Sequence, residues 1–272
     1  FRDSWMTNPF RPPHSAVKNW AEKVLDNWVV KSADIVIANT HPLRSEFIER
    51  FGQTLESRCI TVLNGFDAQE FSGIAPAPRD VFTEGAFLLV HSGFLYGKRD
   101  PRNFIDAFAK LRDEGIIDMD KVRCDLIGQV ELPYDLASYV RERRLDQQIR
   151  LSGQISYAES LARLAGCDLG LIIQPGTGTQ IPSKIFEYIG FGKKILAVAP
   201  NDSAVSAIVS DFGLGEIADA DSVDQIANAI AQAYENWSAD KESYCLDSAT
   251  RDQFEIKKGL STLSSEMQEL VS

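Results

Sequence analysis

The chain is poor in sulfur and histidine and has no excess of positive charge. Its 272 residues include four cysteines and three histidines. Cys59, Cys124, Cys167 and Cys245 lie far apart and form no Cys-x-x-Cys pair, so neither a zinc ribbon nor a disulfide framework is written here. Reduced thiols in a cytoplasmic protein are expected. His14, His41 and His91 stand at no spacing to a serine, cysteine or carboxylate that suggests a triad or a metal site. With 28 Lys and Arg against 39 Asp and Glu the net charge is −11. General affinity for nucleic acid or for anionic membrane needs clustered cations and is not expected. Long apolar runs are absent as well. FLLV at 87–90 and ILAVA at 195–199 are strand length, against the ~20 residues that cross a bilayer. No signal peptide, internal repeat or low-complexity segment is visible.

What is present is a globular composition, 44% hydrophobic and 25% charged, with a patterned middle. From about 85 to 236, short runs rich in Val, Ile and Leu alternate with helical patterns, the rhythm of a parallel sheet covered on both faces. Strands are expected at 87–91, 122–127, 149–152, 168–173, 194–199 and 215–218. Asp100 with Pro101 marks one helix start, and Ser156 with Glu159 reads as a capping box. The first 71 residues carry the same rhythm in shortened form: a helix over 15–32, a strand at 34–39, a helix over 41–51 between Thr40 and Gly52, and a strand at 59–63. Two strands cannot close a doubly wound domain, so residues 1–71 read as the remnant of one, and the chain, which opens inside the motif FRDSW, as a fragment. Residues 72–84 read as a linker, 85–236 as a Rossmann-like α/β domain, and 237–272 as a helical segment with Leu260, Leu263, Met267 and Leu270 at helical spacing. The stripe Val17, Trp20, Val24 and Trp28 on the first helix has the spacing of a packed face.

Parallel sheets bind ligands at the carboxyl ends of their strands. Three such stretches carry candidate chemistry. SGFLYGKRDP at 92–101 has two glycines that let backbone approach an anion, then Lys98 and Arg99 to neutralise it. QPGTGTQIPSK at 174–184 ends in Lys184, suited to a polyanion, with Glu187 one turn on to accept bonds from a vicinal diol. VLNGFD at 62–67 is a strand running into an Asn-Gly turn. Each has a bland alternative: a surface turn, a flexible loop with a solvated glutamate, a plain turn. His91 beside the first loop either touches ligand or is an ordinary buried histidine, and His41 reads as a surface residue.

Taken in order, ANT, NGFD, HSGFLYGKRDP and SKIFEYIGFGKKILAV resemble the retaining GT-B glycosyltransferases of family 4, from FRDSW to about residue 236. The resemblance implies a donor domain for a nucleotide diphosphate sugar followed by hexosyl transfer with retained configuration. It implies Arg99 and Lys184 as the catalytic cations on the diphosphate, Glu187 on the ribose, and a donor site completed by Ser92, Gly93, Thr179, Ile181 and Ser183. Two places depart from the family. Gly93 stands where many relatives have an arginine, so backbone NH groups of Ser92 and Gly93 are expected to substitute. Thr179 stands where many relatives have a glutamate that contacts the transferred sugar. Arg2, Asp3 and Trp5 in FRDSW resemble a loop that faces the interdomain cleft and the acceptor. No cofactor and no metal is implied, and no Asp-x-Asp stands in a loop that would hold a metal at this site. The expected partners are a nucleotide diphosphate sugar and a glycan or lipid-linked acceptor in polysaccharide biosynthesis. The expected location is the cytoplasm, at the inner face of the membrane if the full-length protein associates with it peripherally. The fragment alone is expected to bind donor and turn over little. A nucleotide-sugar 2-epimerase and a non-catalytic nucleotide-sugar binding module are the alternatives.

Overall fold

Local capping decides where the first elements begin. In the computed structural model, which describes Phe1, Met6 and residues 15–271, the Ser15 hydroxyl accepts from Lys18 N and opens α1 (Ala16–Ser32). After β1 (Val36–Ala38), Thr40 accepts from Leu43 N at 3.1 Å and opens α2 (His41–Phe51), which closes where Gly52 N reaches Ile48 O. β2 (Cys59–Thr61) then pairs in parallel with β1, Val36 opposite Cys59. Phe1 flanks β1 on the chain's first residue, its ammonium donating to Ile37 O and its carbonyl accepting from Asn39 N. Val30, Val36, Leu43, Phe47 and Leu55 form the core beneath this small sheet.

The stripe Val17, Trp20, Val24 and Trp28 is not core. Trp20 is 68% exposed and Trp28 64% exposed, while the buried residues of α1 are Asp26 and Val30 on the opposite face. Asp26 is held there by Arg50 of α2 at 2.7 Å. Periodicity shows that one side of a helix is apolar, and the neighbouring elements decide which side they cover.

After the short α3 (Ala68–Phe71), a second sheet begins. Its strands are β3 (Phe87–Ser92), β5 (Val122–Ile127), β7 (Ile149–Gly153), β8 (Leu169–Ile173), β9 (Lys194–Val198) and β10 (Gly215–Ala218). Two further short strands, β4 (Leu95–Tyr96) and β6 (Val130–Glu131), pair with each other where the sequence suggested only loop. Among the described residues the main sheet is six-stranded and parallel throughout, in the order β10, β9, β8, β3, β5, β7. The fold is therefore α/β and Rossmann-like, as expected. Alternation along β3 shows how both faces are buried: Phe87 and Leu89 face the helices α4 (Arg102–Asp113) and α9 (Val223–Ala239), and Leu88 and Val90 face α6 (Tyr157–Gly166), α7 (Lys184–Gly190) and α8 (Ala204–Asp211). Large side chains such as Phe104 and Phe108 are fully buried, each stabilising the fold by about 2–3 kcal/mol. α5 (Leu136–Glu142) covers the β7 edge through Leu136 and Val140. No helix among the described residues is long and apolar enough to cross a membrane.

Three local expectations need correction. Asp100 does not cap α4 from the expected position. The helix starts at Arg102 with Pro101 as its capping residue, and Asp100 instead accepts from Arg102 N and from the Tyr134 hydroxyl. Ser156 caps α6 through Glu159 N, but the Glu159 carboxylate pairs with Arg163 rather than returning to the cap. Asn64-Gly65 is no tight turn. Phe66 pairs with the chain between α10 (Ser248–Asp252) and α11 (Ile256–Val271), and a side chain at Gly65 would run into Phe254 O. Glycine is needed there for close approach of two backbones. Through this contact the end of the chain returns to the two-stranded sheet, Gly259 of α11 lying against Val62.

The proline-containing stretch 72–84 is pinned to the large sheet's layer. Ala77 N donates to Ala162 O, Arg79 pairs with Asp168 and Asp80 with Arg150. Behind that last pair, the buried Asp125 carboxylate accepts from Arg150, Arg163 and Ser152. All four cysteines are free thiols, three of them buried and Cys245 exposed.

Candidate functional site

The sheet order places a crevice between β3 and β8. From β3 the chain runs outward through β5 and β7, then crosses to β8 and runs the other way through β9 and β10. Loops that leave neighbouring strands in opposite directions open a gap at their carboxyl ends, where α/β folds place ligands. The two loops at this gap are the ones that sequence reading singled out, 93–101 and 174–183. They touch: the stem of Lys98 lies against Gly176.

Tyr188 on α7 holds the floor in place. Its ring packs flat against Gly170 of β8, and its hydroxyl donates to Val90 O at 2.8 Å and accepts from Ser92 N at 3.2 Å. Gly93 N donates to Ile127 O at 2.9 Å, and Ser92 Oγ bonds to Ser160 Oγ at 2.8 Å. The expected use of the Ser92 and Gly93 NH groups in place of an arginine is thus corrected. Both are already engaged, Ser92 N by the Tyr188 hydroxyl of α7 and Gly93 N by Ile127 O at the end of β5.

The charged side chains stand above this floor. Arg99 is half-buried with its guanidinium 5.3 Å from the centre of the Tyr96 ring. Lys184 is the first residue of α7, its ammonium 5.2 Å from the centre of the Tyr157 ring, and it donates to both Glu187 oxygens at 2.7 and 3.0 Å. Burial pushes the Glu187 carboxyl above its ordinary range; the bond and charge of Lys184 oppose that rise, and the charge of Glu70 adds to it. His91, buried beneath, has Nδ1 at 3.0 Å from Leu171 O. A carbonyl only accepts, so Nδ1 carries the proton and Nε2 the lone pair. Burial draws His91 down to about 4, the Leu171 bond resists, and the charges of Arg99 and Lys184 push further in the same direction as burial. Both cations therefore act on the floor of one crevice. An ionised Glu187 has lone pairs to accept two hydroxyls.

The other expected residues fall along the second loop. Thr179 is half-buried and its carbonyl accepts from the Thr40 hydroxyl at 2.8 Å. Ile181 is buried. Ser183 is exposed and lines a cleft of about 490 Å³ between the two sheets, together with Asn39, Phe186, Leu260 and Leu263. Arg2, Asp3 and Trp5 lie outside the described residues. His41 is exposed in the first turn of α2, as expected. Sequence reading missed Tyr157, Tyr188 and Thr40. Tyr188 reads as ordinary helix core, Tyr157 carries no local signal beside its cap, and Thr40 shows only its capping role.

Comparison with known proteins identifies the fold and the family. A sequence model of the family described as "Glycosyl transferases group 1" matches residues 78–251. No curated protein matches the chain by sequence. Among solved structures, the chain is similar to Anabaena HepE in complex with UDP, with a TM-score of 0.68 at 18% identity, covering 96% of this chain and 70% of that one. The HepE complex with UDP-glucose gives a TM-score of 0.65 at 19% identity over 94% and 70% of the two chains. A glycosyltransferase from Rickettsia africae gives 0.67 at 13% identity over 97% and 69%.

Proposed function

This chain belongs to the group 1 glycosyl transferases, and from that membership we propose that the β3/β8 crevice binds a nucleoside diphosphate sugar for hexosyl transfer with retention of configuration. The observation that carries the reading is the pairing of Lys184 with Glu187 above a floor reached by the charges of both Arg99 and Lys184. On this reading Arg99 and Lys184 take the diphosphate, and Glu187 takes the ribose diol. Backbone NH groups of Ile181 and Ser183 join Lys184 on the phosphate, and Thr179 faces the transferred sugar. The chemical task is to stabilise a departing nucleoside diphosphate. Fixed cations in a partly dry crevice stabilise such a leaving group by several kcal/mol, because they need no reorganisation as its charge develops. The UDP and UDP-glucose complexes of HepE make a uridine diphosphate sugar the first donor to try. The acceptor we propose is a glycan or lipid-linked sugar, entering through the cleft that Ser183 and Asn39 share. Its place would be polysaccharide assembly on the cytoplasmic side of a membrane.

Photocrosslinking tests the location directly. An azido-uridine diphosphate glucose, irradiated on the protein and mapped by mass spectrometry, should label peptides within 92–101 and 157–187, and excess UDP should suppress the label. Labelling confined to other segments would overturn the reading.

A further inference from the structure

The loop Gln174–Ser183, on which the proposed donor site depends, leaves β8 with Gln174 N donating to Val198 O at 2.9 Å and is then pinned at three further points. Gly176 lies against the Lys98 stem, Gly178 O accepts from Ala204 N at 2.7 Å, and Thr179 O accepts from Thr40 Oγ1 at 2.8 Å. The first two pins come from the same sheet layer. The third comes from the other sheet, across 139 residues of sequence. The Thr40 hydroxyl has one proton and is 1% exposed in its residue as a whole. It uses that proton on Thr179 O, and its lone pair accepts from Leu43 N to cap α2. Asn39, the preceding residue, lines the same cleft as Ser183 at the far end of the loop.

We propose that Thr40 is a positioning residue for the donor loop: through its bond to Thr179 O, the two-stranded sheet sets the conformation in which the loop receives a nucleoside diphosphate sugar. The inference rests on the proposed donor site. Position 179 faces the transferred sugar on that reading, so the side of the protein next to the acceptor cleft governs how the donor sugar is held. Thr40 touches no ligand itself and acts through the loop backbone.

The two roles of Thr40 separate by substitution. Thr40→Ser keeps both, Thr40→Asp keeps the cap but has no proton to donate, and Thr40→Val loses both. The three variants are compared by calorimetry with UDP-glucose and by hydrogen exchange of peptides spanning 176–183. Thr40→Asp should melt below the wild type, because it buries a carboxylate beside the Thr179 carbonyl, and should exchange faster in 176–183 and bind UDP-glucose about threefold to tenfold more weakly, as expected for loss of at least one net hydrogen bond. Thr40→Ser should restore both readouts. Wild-type exchange and affinity in Thr40→Asp would show that the hydroxyl only caps α2 and would overturn the proposal. Should Thr40→Asp fail to fold, Thr40→Val decides by the same exchange readout, because a lost cap loosens α2 whereas a lost latch loosens 176–183. If the wild-type protein bound no nucleotide, the donor-site reading would fail, while exchange in 176–183 would still report whether the latch exists.

Discussion

Replacing Lys184 by methionine separates charge from packing, since the methionine stem still covers Tyr157. Lys184 and Glu187 are 25% and 13% exposed, so their pair is neither a surface bridge nor a fully buried one. Surface pairs contribute about 0–1 kcal/mol, and breaking a buried pair costs about 3–5 kcal/mol. The intermediate burial places the worth of the Lys184 charge to a partner at about 1–3 kcal/mol; if its proposed contact with the diphosphate is of that size, UDP affinity at neutral pH should fall about fivefold to 150-fold, since about 1.4 kcal/mol is a factor of ten. The pH profile carries a second sign. Glu187 must be ionised to accept two ribose hydroxyls, so binding is present above its raised pKa and lost as pH falls through it. The groups acting on it are Lys184 on its own helix and Glu70 on α3, with Tyr157 on α6 close enough to feel its charge. Of these only Lys184 favours the ionised form, so Lys184→Met should move the acid limb of binding to higher pH. Stability runs the opposite way. A raised carboxyl pKa stabilises the fold below its unfolded value, and that contribution disappears as pH rises through the folded value. Calorimetric titration with UDP from pH 5 to 8 reads affinity and limb together. Unchanged affinity with an unmoved acid limb would refute the reasoning.

Other perturbations test neighbouring parts. Arg99→Ala should weaken UDP about tenfold or more and leave uridine binding unchanged, because its proposed contact is with phosphate alone; equal losses for both probes would place it elsewhere. Asp125→Ala strips the shared carboxylate from Arg150, Arg163 and Ser152 and should cost about 3–5 kcal/mol in urea unfolding. A loss under 1 kcal/mol would show that the cluster is solvated. Gly128→Ala combines a φ of +132° with collision against Gly93 O and should lower stability by about 3 kcal/mol, measured by thermal melting; a neutral effect would contradict the described loop. Trp20→Gln should change stability by less than about 0.5 kcal/mol, since the ring is exposed, whereas a larger loss would mean that something packs on it.

How much of this was legible in the chain differs by kind of interaction. Helix α2 was readable at both ends because Thr40 and Gly52 act within one turn of themselves. The strands of the large sheet were readable because most of their residues are apolar and face helices on both sides; β5 and β10 match their expected bounds even though Arg123, Asp125 and Glu216 interrupt their apolar runs. The α1 stripe was misread because amphipathic spacing is a local property and its burial depends on partners. Ser92 and Gly93 were misjudged for a related reason. Whether an NH group is available depends on Tyr188 and Ile127, far away in sequence. Lys184 and Glu187 could be picked out as residue types at a strand-end loop, but their mutual bond required the helical turn that brings them together. Thr40 is the clearest case. Its cap is written in the next three residues, and its bond to Thr179 appears only in the fold.

The central claim is that the β3/β8 crevice is a nucleoside diphosphate site. Calorimetric titration of the protein with UDP, GDP and ADP, beside inorganic phosphate as a control, tests it most directly. The account predicts micromolar affinity for one of the three, weakened at least about tenfold in both Glu187→Ala and Arg99→Ala, and absent for phosphate. Binding that neither substitution weakens, or no binding to any of the three, would contradict it.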